Sequence, residues 1–283
     1  MAQPELAMRA GQCRRIVEGS INYIAPMAVR PRFYANDHSR DVLELDPRTV
    51  PIEDARARAQ APSLECEGIA LVPHRSTVGD FRNAAEVAAL HPLEIERLVL
   101  TLSGADAVVV TGAGVLRFAE RSPDSGRLNN SRPARFIHVD CSDATAAQFA
   151  ERSRPKSEPR PVRRFAQYNV WRTFSPPPQD VPLTVCDART LEAGDRVPAD
   201  AIFDVAGQPE WSFEGLVIRF NPRHRWLYFS NMTRDEALVF KTHDSSPEAP
   251  SQVAHSAFDD PGCPPSVPPR ASIEMRASAY WFA

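Results

Sequence analysis

From Ala105 to the end, the chain is written as short apolar runs, each cut off by proline, glycine or a polar cluster. Ala105–Thr111, Val115–Phe118, Arg135–Asp140, Val162–Thr173, Leu183–Cys186, Glu214–Phe220, Trp226–Ser230, Ala237–Thr242 and Ser272–Phe282 all have the length and the β-branched or aromatic content of strands. Many short strands with turn signals between them point to an all-β sandwich or jelly roll. The proline-rich stretches 155–161, 175–182 and 261–269 fall between the runs, where a missing backbone donor breaks no ladder bond.

Before Gly104 the text is mixed. Residues 1–19 read as a loosely held arm, Ile-Asn-Tyr-Ile at 21–24 as a short strand, and Glu67–Val72 as another that stops at Pro73. Asp80 is suited to cap a helix over Phe81–Ala89, and Pro92 opens a second helix that ends at Gly104. The expected fold is therefore mainly β with α decoration: one domain over 1–283, with strand and helix decoration in 1–104 and the β core in 105–283. The polar segment 143–158, in which Thr145–Arg152 can form a short helix, reads as a candidate lid over the site described next.

The run Arg-Phe-Ile-His138-Val-Asp140 carries the most specific chemistry. Residues i and i+2 of a strand share a face, so His138 and Asp140 project together. A second histidine, His255, follows far downstream in Ala-His-Ser-Ala-Phe, and Arg270-Ala-Ser272 comes soon after it. Two imidazoles and one carboxylate on one side of a metal leave its other side open, the facial arrangement of non-haem Fe(II) oxygenases. His243 is the rival for the second imidazole; His224 reads as an exposed turn residue, and His38, His74 and His91 as structural. Arg270, Ser272, Glu274 and Arg276 alternate along one strand. An arginine there suits the far carboxylate of 2-oxoglutarate, because a guanidinium fork meets a carboxylate bidentately. Arg270 and Arg276 both qualify, with Ser272 as a hydroxyl donor. Asn169, Arg172 and Lys241 are candidates for holding substrate; Trp171 reads as core.

Composition narrows the alternatives. A net charge of −3 gives no basic field for nucleic acid. Cys13, Cys66, Cys141, Cys186 and Cys263 show neither a CxxC pair nor regular spacing, which suggests free thiols in a reducing compartment. The N-terminus lacks an apolar signal region, and no apolar run is long enough for a membrane span, so a cytoplasmic protein is expected. The competing readings are a cupin-like Zn(II) hydrolase or isomerase using the same three ligands, and a non-catalytic β-sandwich binding protein.

The chain also resembles the CmcJ/AsaB-like hydroxylase/desaturase family. The resemblance rests on Asn22-Tyr23, Ile52–Arg56, Leu64–Gly68, Gly104–Asp106, Ile137–Asp140, Asn169–Arg172, Pro182–Asp187, Tyr228–Met232, Asp235-Glu236, Lys241, Asp244-Ser245, His255–Phe258 and Ser272–Arg276. It departs from the family at Ala271, where a glutamate is usual, and in the glycine-rich Val110–Gly114. It implies a double-stranded β-helix core, Fe(II) on His138, Asp140 and His255, and an arginine of the last strand on 2-oxoglutarate. It further implies dioxygen as oxidant, succinate and CO2 as co-products, and a small natural-product or amino-acid-derived substrate undergoing hydroxylation, desaturation or ring closure.

Overall fold

A computed structural model describes residues 15–283. The expected arm at 1–19 lies mostly outside the described residues, as does Cys13. In chain order the strands are β1 (Ile16–Ile24), β2 (Arg32–Tyr34), β3 (Leu45–Asp54), β4 (Ile69–Pro73), β5 (Ala107–Val110), β6 (Val115–Phe118), β7 (His138–Val139), β8 (Val162–Thr173), β9 (Leu183–Cys186), β10 (Arg196–Phe203), β11 (Trp211–Ile218), β12 (Trp226–Tyr228), β13 (Glu236–Asp244), β14 (His255–Ala257) and β15 (Ala271–Phe282); the α-helices are α1 (Ala84–Ser103) and α2 (Asp143–Ser153). The expectation of a mainly β jelly-roll core is borne out.

Two sheets carry the core. One has nine strands in the order β1-β3-β12-β9-β14-β7-β11-β10-β2. The other runs β4-β13-β8-β15-β5, with β6 also paired to β15. Strands from before Gly104 belong to both: β1 and β3 to the first, β4 to the second. This N-terminal third is woven into the sheets rather than laid on them. β10 goes unpredicted because Pro198 interrupts its alternation of Val197, Ala199 and Ala201. The proline is tolerated because the parallel partner β2 pairs with β10 only over Asp200–Ile202, leaving Pro198 on an open edge.

The expected helix pair is a single helix, α1, with Pro92 inside it. A proline removes one i→i−4 bond and frees the carbonyl four residues earlier. That carbonyl belongs to Ala88, which is exposed, so water can take the place of the lost donor. The cap is Asn83, whose side chain accepts from the Ala85 and Glu86 amides, rather than Asp80. Gly104 closes the helix in the left-handed conformation, at φ 62°. Val87, His91, Ile95 and Val99 form the buried stripe, packed with Ile273, Met275 and Ala277 on the outer face of β15. Ile95→Ala should lower unfolding stability by about 2–5 kcal/mol through the cavity it leaves, read as a shifted denaturant midpoint at unchanged slope.

The segment read as a lid is mostly the helix α2, capped by Ser142, whose hydroxyl accepts from the Thr145 amide. Ala146 and Ala150 are buried, and the Tyr280 hydroxyl donates to the Ala150 carbonyl at 2.8 Å. Thr145–Ser153 is thus packed structure, and only the stretch after it is loop. Among the described residues no helix is long and apolar enough to cross a membrane.

Candidate metal centre

β7 lies between β14 and β11, and His138 pairs directly with His255 across the β7–β14 ladder. Opposed residues of an antiparallel pair project from the same face, and the two imidazole centroids are 4.3 Å apart. Asp140, just beyond β7, completes the group. One ligand atom from each of His138, Asp140 and His255 lies within 4.8 Å of the other two. These three are the residues singled out by the spacing of the sequence. His243 stands apart: its Nδ1 is 3.1 Å from Asp143 Oδ1 and its ring stacks on Phe165.

The hydrogen bonds orient every donor atom. His138 Nδ1 lies 3.0 Å from the Phe136 carbonyl, and His255 Nδ1 lies 3.2 Å from the Val253 carbonyl. A carbonyl only accepts, so each Nδ1 carries the proton and each Nε2 is left with its lone pair. Both Nε2 atoms sit 3.7 Å from Asp140 Oδ1. The other oxygen, Oδ2, accepts from Asn169 Nδ2 at 2.8 Å and lies 3.0 Å from Arg276 Nε. Support from β8 and β15 in the six-stranded sheet thus occupies Oδ2 and leaves Oδ1 to face the imidazoles. This donor set, two neutral imidazoles and one free carboxylate oxygen, fits a divalent first-row metal such as Fe(II).

The electrostatics agree. Burial, helped by the neighbouring imidazole of His255, pushes His138 down to about 3. Burial likewise lowers His255. Both rings are neutral at pH 7 and free to bind metal. Burial alone would raise Asp140, but the Arg276 guanidinium, with the two imidazoles, holds its carboxyl well below the usual range. Arg276 is raised in turn: its burial penalty is outweighed by Asp140 and Glu274.

Strand alternation sorts the remaining candidates. Ile273, Met275 and Ala277 of β15 face α1, so Arg270, Ser272, Glu274 and Arg276 face the metal side. Arg270 is 1% exposed, and its Nε and one terminal nitrogen have no hydrogen-bond partner. It lines a small pocket with Trp171, His138, Asp140 and His255. Burial, followed by repulsion from Arg117 and Arg135, pushes Arg270 down to about 9. The Ser272 hydroxyl is turned away and donates to the Arg117 carbonyl at 3.3 Å.

Two expected substrate residues lie elsewhere. Arg172 takes the opposite face of β8 from Asn169 and Trp171. It donates to the His74 carbonyl at 3.1 Å, contacts His74 Nδ1 and lies over the Phe81 ring. Lys241 is buried and donates to Asp244 Oδ2 at 2.8 Å, an oxygen it shares with Arg164. A β-bulge between Lys241 and His243 sets this end of β13 out of phase with its partner β8. Asn169 does reach the centre, but through Asp140. Cys141, next to Asp140 in the chain, donates to Gln167 Oε1 at 3.2 Å, and burial raises its thiol. His224 is shielded rather than exposed, its Nε2 3.1 Å from Asp195 Oδ2.

Sequence reasoning missed Arg117, which lines both the Arg270 pocket and a larger cleft of about 540 Å³ opening onto His138 and Asp140. Its only signal was a charge within the apolar run Val-Leu-Arg-Phe of β6. The cleft's apolar lining includes Phe33, Phe136, Phe203 and Phe213.

Comparison with known proteins adds to this geometry. A family model described as an oxidoreductase/YMDC permease-like domain matches residues 21–280. The hydroxylase/desaturase CTB9 of Cercospora beticola is 29% identical over 83% of this chain and 76% of its own length. The Fe(II)/2-oxoglutarate-dependent dioxygenase nvfI of Aspergillus novofumigatus is 28% identical over 83% and 84% respectively. A solved structure of the iron and alpha-ketoglutarate-dependent endoperoxidase NvfI superposes with a TM-score of 0.80 at 23% identity, over 95% of this chain and 99% of that one, and so shares the fold. With a match that spans nearly the whole chain and a His-Asp-His centre in place, this protein belongs to the hydroxylase/desaturase family of Fe(II)- and 2-oxoglutarate-dependent oxygenases.

Proposed function

We propose that the chain oxidises a C–H bond of a small natural-product or amino-acid-derived molecule, with Fe(II) held by His138, Asp140 and His255 and with 2-oxoglutarate anchored by Arg270. The observation that carries this reading is the convergence of three free donor atoms beside a buried guanidinium, over the Trp171 ring, whose Nε and one terminal nitrogen have no hydrogen-bond partner. When bound, iron with 2-oxoglutarate and dioxygen supplies the oxidant, releasing succinate and CO2. The chain's own residues do the rest. The Phe136 and Val253 carbonyls fix the tautomers; Asn169 and Arg276 hold Oδ2; Arg270 offers an unspent fork to a carboxylate. Between the two arginines raised by the sequence, Arg270 is favoured because Arg276 is already engaged with Asp140 and Glu274. A hydrolase built on the same ligands has no use for a buried cation of this kind, so the oxygenase reading is preferred over the zinc alternative.

Purified protein supplied with Fe(II), ascorbate, oxygen and 2-oxoglutarate should form succinate, and Zn(II) should not replace Fe(II). Absence of succinate together with absence of metal-dependent 2-oxoglutarate binding would overturn the proposal. Asn169→Ala should weaken Fe(II) binding by about 10–100-fold, since it removes one of the two groups that hold Oδ2 and orient the carboxylate. An unchanged titration curve would remove Asn169 from this role.

A further inference from the structure

Beyond the cleft over His138 and Asp140 lies a second chamber of about 680 Å³ that contains none of the three donor residues. The two share Asn130, Phe203, Phe213 and Arg276 as common wall. That wall is aromatic. Phe203 stacks on Trp211 with centroids 4.4 Å apart and planes 14° from parallel, and Phe213 stacks on Phe203 at 5.5 Å. Trp211 is 51% exposed, while Trp171, Trp226 and Trp281 are buried. Stacked rings left open to solvent present a flat apolar face whose best partner is another flat apolar face.

The Thr111–Gly114 turn also lines this chamber. Gly112 has φ +91° and open space where a Cβ would stand, so the turn contributes almost no side-chain volume. Of the chamber's two cations, Arg276 is engaged with Asp140 and Glu274, and the other is Arg152, in the last turn of α2. It lies over the Phe149 ring at 4.8 Å and has no carboxylate partner among the described residues. Phe149 itself packs edge-on to Phe213, so Arg152 stands next to the aromatic wall.

We infer that this outer chamber is a binding site for the far end of an elongated, flat, apolar substrate bearing a carboxylate, with the rings on Trp211 and Phe203 and the carboxylate on Arg152. The inference rests on the oxygenase reading for which end of the molecule reacts, but not for binding itself. The test is therefore a binding titration of metal-free protein with 1-pyrenebutyrate, followed by calorimetry, with neutral 1-pyrenebutanol and compact benzoate as comparisons. Pyrenebutyrate should bind saturably and at least about tenfold more tightly than either comparison. Arg152→Gln, at an exposed helix position, should erase the preference for the acid over the alcohol. Ala113→Trp, which fills the chamber from the turn, should weaken both pyrene compounds about tenfold or more. Pyrenebutyrate binding unchanged in both variants, or no binding to the wild type, would overturn the inference. Failure of succinate formation would instead overturn the oxygenase reading and leave this titration standing.

Discussion

His138→Ala should abolish Fe(II) binding, and 2-oxoglutarate turnover should fall to the no-enzyme background. Three donor atoms hold the proposed metal, and His138 supplies the Nε2 paired across the ladder with that of His255. The loss should far exceed the roughly 10–100-fold expected for a supporting residue such as Asn169. The cost to folding is small by comparison. The imidazole donates one hydrogen bond, to the Phe136 carbonyl, and its removal costs about 1–2 kcal/mol. The variant should therefore melt a few degrees lower and remain folded. His243→Ala is the matching control: its ring stacks on Phe165 outside the triad, so Fe(II) titration should be unchanged. Full metal binding by His138→Ala, or its loss in His243→Ala, would contradict the assignment.

Arg270→Met should show the opposite signature in folding and in catalysis. It should raise the KM for 2-oxoglutarate by about 30–5,000-fold, the equivalent of about 2–5 kcal/mol for a lost partner in a buried charge pair. It should also stabilise the protein without co-substrate, by about 1–4 kcal/mol, because a desolvated cation with two nitrogens lacking hydrogen-bond partners gives way to a packed apolar chain. The pH dependence follows from the same cause. Burial holds the folded-state value at about 9, below the ordinary guanidinium range, so above pH 9 the unfolded chain binds more protons than the folded one. Stability from this group therefore rises as the pH climbs above about 9, and its penalty is complete below pH 9. That rise should disappear in Arg270→Met. An unchanged KM would shift the anchoring role away from Arg270, leaving Arg276 as the sequence's other choice.

Local chemistry and strand alternation made much of this molecule legible in one dimension. Val162–Thr173 and Leu183–Cys186 are strands over those same bounds, because apolar β-branched and aromatic runs closed by proline have few other outcomes. His138 and Asp140 had to share a face because a strand has period two. Arg270, Ser272, Glu274 and Arg276 share the metal-side face of β15 for the same reason. What the one-dimensional pattern does not contain is which face of a strand meets which neighbour. Arg172 and Lys241 read as pocket residues, yet tertiary pairing turned one towards His74 and bound the other to Asp244. α1 ran through Pro92 because Ala88 happens to face water. The choice of His255 over His243 was made by strand order, which set β14 beside β7. The sequence by itself determined the strands, the donor types and their period. Only the packing of two sheets decided which oxygen of Asp140 is free and which arginine has no partner, because both depend on contacts between residues far apart in the chain.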